Sequence, residues 1–134
     1  MEELLRAAAA AREKAYAPYS RFKVGAAVET AGGRLYTGCN VENASFGLTN
    51  CAERTAIFKA VSEGEREFLR LAVIADSPEP ASPCGACRQV LAEFGIKTVI
   101  MCNTKGERRE ATLRELLPFA FDKTDLPGDD SCCE

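Results

Sequence analysis

Two short cysteine blocks constrain this chain more than any other feature, because a fold that uses them must bring two distant segments together. They are Cys51-Ala52-Glu53-Arg54 and Pro83-Cys84-Gly85-Ala86-Cys87-Arg88-Gln89. The first offers one thiolate with a carboxylate two residues on. The second offers two thiolates at Cys-x-x-Cys spacing. Three protein ligands leave one position open on a tetrahedral zinc, and an open position separates a catalytic zinc from a structural one. The chain contains no histidine. Any metal site must therefore use thiolates and carboxylates, and Ser-His-Asp or Cys-His nucleophilic chemistry is excluded.

In each block the cysteine stands where a polar loop becomes a helix. A helix N-terminus has free N–H groups and partial positive charge, and both favour the thiolate that zinc requires. Cys84 and Cys87 are three apart, so both fall on one side of a first helical turn. Cys51 completes the set from the other helix. Three thiolates and Zn2+ sum to −1, a charge that makes a bound water less acidic unless it is compensated. Arg54 and Arg88 follow ligands closely and are expected to donate to sulfur. Glu53 lies beside the ligand set, not in it, where a carboxylate can accept a proton from water and pass it on.

The element pattern is α-β-β-α-β-α-β-β-α. Residues 2–16 are rich in Ala, Leu, Glu and Arg, and Pro18 ends that helix. Residues 24–30 and 34–39 read as a hairpin around Ala31-Gly32-Gly33. A polar loop at 40–50 leads into a helix from Cys51 to about residue 63, stopped by Gly64. Residues 69–75 form a buried strand, and a loop with three prolines reaches residue 83. A helix from Cys84 closes at Gly95, and 97–102 is a second buried strand. Residues 108–111 suit an edge strand, and Thr112 suits the N-cap of a last short helix at 113–117. The expected fold class is α/β: a three-layer α/β/α domain with a mixed five-stranded sheet, over residues 1–134. A loosely ordered acidic tail is expected from about residue 123.

The bulk numbers limit the partners. The net charge of −3 argues against nucleic acid, which selects a basic surface. No apolar run approaches the roughly 20 residues of a membrane span. Seven cysteines, an odd count, do not fit a secreted disulfide framework. The N-terminus is acidic and lacks a signal-peptide core. A reducing cytoplasm is the expected compartment. The alternative use of the metal is a filled structural site, with a fourth thiolate from Cys39, Cys102, Cys132 or Cys133. Cys39 and Cys102 lie inside apparent strands and suit small buried hydrophobes. Cys132 and Cys133 lie in the polar tail and suit exposed thiols.

A non-ligand glutamate two residues after one cysteine, with Pro-Cys-x-x-Cys later, is the pattern of zinc deaminases. The chain resembles the small, homotetrameric, zinc-dependent cytidine deaminases of pyrimidine salvage. The resemblance covers most of the chain. It includes Ala17-Pro18-Tyr19-Ser20-Arg21-Phe22-Lys23-Val24-Gly25-Ala26-Ala27, Gly38-Cys39-Asn40-Val41-Glu42-Asn43-Ala44-Ser45, and Glu115-Leu116-Leu117-Pro118 with Phe121 beyond. It implies one Zn2+ per subunit on Cys51, Cys84 and Cys87, with Glu53 as proton shuttle and Arg54 bonding ligand sulfur. It implies that Asn40 and Glu42 hold the ribose hydroxyls and that Phe22 walls the nucleoside pocket. Phe121 matches a phenylalanine that enters a neighbouring subunit's site. Phe46 stands where tyrosine is frequent in the family. The implied reaction is hydrolytic deamination of free cytidine and deoxycytidine to uridine and deoxyuridine plus ammonia. A deaminase of blasticidin S shares both cysteine blocks and is the nearest alternative. A non-enzymatic zinc-stabilised binding module is the alternative of a different class.

Overall fold

The computed structural model describes residues 1–127. Five strands form one sheet: β1 (Val24–Thr30), β2 (Leu35–Cys39), β3 (Phe68–Ala75), β4 (Thr98–Asn103) and β5 (Arg108–Thr112). Their order is β2-β1-β3-β4-β5. Every neighbouring pair is antiparallel except β3 and β4, so the sheet is mixed as expected. The parallel pair requires a crossover, which α3 (Gly85–Glu93) supplies.

Alternation along the strands makes two cores. Ala26, Val28, Leu71, Val73, Val99 and Met101 face one way, against α2 (Ala52–Ser62) and Leu91 of α3. Ala27, Ala72, Ile100 and Cys102 face the other way, against Leu4 and Ala8 of α1 (Glu2–Arg12). A period of two places odd and even positions on opposite faces, so each central strand serves both layers. These are the three layers expected from the element order.

The differences lie at the edges of elements. Helix α1 stops at Arg12, not near residue 16. Tyr16 instead forms a parallel bridge with Val41: its N–H donates to the Asn40 carbonyl, and its carbonyl accepts from the Glu42 N–H. The backbone groups that would have extended the helix are used to dock the loop after β2. That loop is itself closed by two bonds between Val41 and Asn50, with a 3-10 turn at Phe46–Leu48. Helix α2 ends before Gly64, whose φ of +99° suits a left-handed stop. Thr112 caps α4 (Leu113–Leu116) in a reciprocal box with Glu115. Of the expected tail, Lys123–Asp125 form a single 3-10 turn. Residues 128–134, with Cys132 and Cys133, lie outside the described residues. Among the described residues no helix is long and apolar enough to cross a membrane.

Gly38 decides how closely α2 approaches the sheet. A Cβ there would lie 2.4 Å from the Ala56 amide nitrogen and 2.7 Å from the Ala52 carbonyl oxygen. Both are backbone atoms of α2, so a methyl group must push the helix away. Gly38→Ala is therefore expected to cost about 1–3 kcal/mol or more, read as a lower midpoint in denaturant with an unchanged slope. A midpoint equal to the parent's would show that α2 is not seated on Gly38.

Candidate active site

Cys51 and Cys84 are the N-caps of α2 and α3, each with extended backbone that turns its side chain off the helix axis. Neither sulfur caps its own helix. Cys87 lies on the first turn of α3 and is buried. The Sγ atoms of Cys51 and Cys84 are 3.7 Å apart, and those of Cys84 and Cys87 are 3.5 Å apart. All three lie within 4.8 Å of one another. Sulfurs at about 2.3 Å from a tetrahedral zinc stand about 3.8 Å apart, so the trio fits the ion. Cys39 and Cys102, the other cysteines described, remain in strands β2 and β4, away from the cluster.

The electrostatics favour a cation between these sulfurs. The neighbouring Cys87 thiol draws the Cys51 thiol down to about 5, with Arg54 assisting. Cys87 is pushed up in turn, by Cys51 beside it and by burial. Three adjacent thiols cannot ionise together unless a positive charge replaces their protons. Arg54 meets part of that need: its terminal nitrogen donates to Cys51 Sγ at 3.3 Å. Among the described residues its buried Nε has no hydrogen-bond partner. The arginine is thus held by charge at the cluster at the expense of one unsatisfied donor.

Arg88 differs from the sequence expectation. It does not reach a sulfur. Its three nitrogens donate to the Pro83 carbonyl, the Leu116 carbonyl and Ser82 Oγ. The reason is competition: oxygens of the loop before Cys84 and of the end of α4 engage each of its guanidinium nitrogens.

A cavity of about 550 Å³ opens over the cluster. Cys51, Glu53 and Cys84 line it, together with Phe22, Asn40 and Glu42. Glu53 is only 4% exposed, and burial pushes its carboxyl up to about 7. Asn40 is held by two bonds: its Oδ1 accepts from the Val24 N–H at 2.9 Å, and its Nδ2 donates to the Phe22 carbonyl at 2.7 Å. One amide hydrogen and one lone pair stay available. Glu42 accepts from the Tyr19 and Ser20 amides and from Ser20 Oγ. The Ser20 bonds hold its carboxyl below the ordinary value, so it stays an ionised acceptor.

Phe46 and Phe121 stand apart from this cavity. Phe46 is 78% exposed and lines a neighbouring hollow of about 370 Å³ with Tyr19, Ser20, Glu42 and Thr49. Phe121 is 60% exposed, and its carbonyl accepts from Gln89 Nε2. Sequence reasoning passed over Ser20 and the wall from Ser77 to Ser82. The three prolines of that loop, directly before Cys84, were the available signal for the wall. Nothing local marked Ser20, which is placed by the Tyr16–Val41 bridge.

A mixed α/β sheet that aims two helix N-termini and a buried carboxylate at one three-thiolate cluster defines a metal-dependent hydrolytic enzyme. The model of the cytidine and deoxycytidylate deaminase zinc-binding region matches residues 1–103. A relative named cytidine deaminase from Sporosarcina psychrophila is 56% identical over 128 residues, covering 94% of each chain. A solved cytidine deaminase from Burkholderia pseudomallei superposes with a TM-score of 0.87 at 54% identity, covering 90% of this chain and 98% of that one. One from Mycobacterium tuberculosis gives 0.78 at 43% identity, covering 90% and 95%. The chain belongs to the cytidine and deoxycytidylate deaminase family. It is a zinc-dependent deaminase, with Cys51, Cys84 and Cys87 as the group placed to hold the ion.

Proposed function

We propose that the chain deaminates free cytidine and deoxycytidine, giving uridine and deoxyuridine plus ammonia. The observation that carries this reading is a single cavity lined by Cys51, Cys84 and Glu53 and also by Asn40 and Glu42. Reacting base and sugar are recognised together there. Cys51, Cys84 and Cys87 would hold the zinc, which would supply an acidified water as nucleophile. Glu53 takes a proton from that water and delivers it to N3 of the pyrimidine as oxygen adds at C4. It then takes the second proton of that water, from the new C4 hydroxyl, and delivers it to the departing amine; the C4–N bond breaks, and ammonia leaves. Arg54 neutralises part of the thiolate charge through Cys51.

Phe22 stacks along the base, and Glu42 accepts from a sugar hydroxyl while the free Asn40 N–H donates to one. Among the described residues no lysine or arginine lines the cavity, which suits a neutral nucleoside and not a polyanion. Phe121 is exposed, near the C-terminal end of the described chain, and suits a role in a neighbouring subunit's site within a homotetramer. Phe46, beside Glu42, lies at the outer edge of the sugar side. A cytoplasmic location agrees with the five cysteines described as free thiols.

The test is direct. Zinc-loaded protein is incubated with cytidine, deoxycytidine or blasticidin S, and ultraviolet absorbance is followed. Turnover of the two nucleosides is expected, and an inert protein with full zinc would favour a binding module. Glu42→Gln keeps the shape and removes the charged acceptor. Its KM for cytidine is expected to rise on the order of 10–100-fold with a smaller change in kcat. An unchanged KM would take Glu42 off the sugar.

A further inference from the structure

Cys84 is the least supported of the three sulfurs. It is exposed, sits between a proline-rich loop and Gly85, and receives no arginine hydrogen bond. Its backbone, in contrast, is held from outside. Arg88 Nε donates to the carbonyl of Pro83, the residue before Cys84, at 2.8 Å. One terminal nitrogen donates to Ser82 Oγ at 2.8 Å, and the other to the carbonyl of Leu116 at the end of α4. The anchor at Leu116 is firm: the Thr112–Glu115 box fixes the start of α4, and Gln89 Nε2 holds the Phe121 carbonyl beyond it.

We propose that Arg88 is a positioning residue for the Cys84 thiolate. Its planar fork clamps the two residues that enter Cys84 and sets the direction of the Sγ that completes the cluster. The inference rests on the zinc-deaminase reading. A lysine cannot replace the fork, because a single ammonium point charge does not span three acceptors from two segments. Losing the clamp frees the loop end next to a flexible glycine, and the sulfur samples directions that do not meet the ion. Partners that orient metal ligands in this way tune metal affinity without touching the metal.

The experiment follows zinc release from the purified holoenzyme into excess chromogenic chelator, beside thermal unfolding and kcat and KM for cytidine. Arg88→Lys, Arg88→Ala and Ser82→Ala are compared with the parent and with Leu4→Ala. The last trims the core on the other face of the sheet, lowers stability and leaves the Pro83 loop clamped. Arg88→Lys and Arg88→Ala are expected to release zinc on the order of 10–100-fold faster, with kcat falling more than KM changes. Ser82→Ala is expected to move the same way by less, and Leu4→Ala to lower thermal stability with a parental release rate. Release rates for the Arg88 variants within about twofold of the parent would overturn the proposal, as would release that tracks thermal stability across all four variants. Should Arg88→Ala fail to fold, Arg88→Lys and Ser82→Ala decide the matter. Failure of the cytidine reading is distinct: the parent would hold zinc and leave cytidine unchanged, while the release series would still report on the clamp.

Discussion

Glu53→Gln is expected to retain one zinc per chain and lose on the order of 10²–10⁴-fold or more in kcat. Glutamine keeps the volume and the buried placement at the start of α2, but it cannot carry a proton. The loss should therefore fall on kcat, with KM nearly unchanged. Normal zinc content with near-parental turnover would remove Glu53 from the reaction. The same substitution has a second consequence in metal-free protein. Burial raises the Glu53 carboxyl to about 7, against 4.5 for the unreacted group in solution. The folded state then binds more protons than the unfolded one between those values, so this group's stabilising effect is complete below about 4.5 and is lost as pH rises through about 7. Cys51 runs the other way, its depressed thiol favouring the folded state as pH rises above about 5. Comparing variant with parent separates the two. Metal-free Glu53→Gln should be the more stable at pH 8, by a few kcal/mol, with the advantage gone near pH 4. Bound zinc reverses this logic, since a cation beside the carboxylate favours its ionised form.

Cys87→Ala is the second large effect. It removes one sulfur from a buried position and leaves Cys51 and Cys84 as a two-ligand remnant. Bound zinc is expected to fall well below one per chain, and deaminase activity to below detection. The fold itself should survive, because the cores on both sheet faces are built from aliphatic side chains that do not include the cluster. Linkage separates this from simple unfolding. Added zinc stabilises the parent by RT ln(1 + [Zn]/Kd), roughly 4 kcal/mol at 1,000 times Kd. The variant's melting temperature should stop responding to zinc. A variant that still binds one zinc tightly and melts higher with it would show that Cys87 is not a ligand.

The sequence carried much of this chemistry because the chemistry is local. Cys84 and Cys87 share one helical turn, and Cys51 and Glu53 share another, so spacing alone stated which groups could face one ion. The strands were legible for a similar reason: short continuous apolar runs around Val73 and Val99 suit strands buried on both faces of a sheet. Arg88 was misassigned because the Leu116 carbonyl that competes for it lies 28 residues away in sequence and meets it only in the fold. The end of α1 was misplaced because Tyr16 leaves the helix for a partner 25 residues away, and no local preference announces that exchange.

By itself, then, the sequence determined the donor set, the helix starts that hold it and the absence of histidine chemistry. It also determined a family whose members share those blocks. Only the tertiary structure decided that Asn40 and Glu42 face the same cavity as Glu53. It alone showed that Ser20 and the Tyr19 amide hold Glu42 ionised, and that Arg88 grips the loop before Cys84. Phe46 and Phe121 were likewise separated from that cavity only in three dimensions. The physical reason is range. Helix caps and ligand spacing act within one turn of chain, whereas a pocket wall exists only after the sheet order β2-β1-β3-β4-β5 has brought remote loops to the same edge.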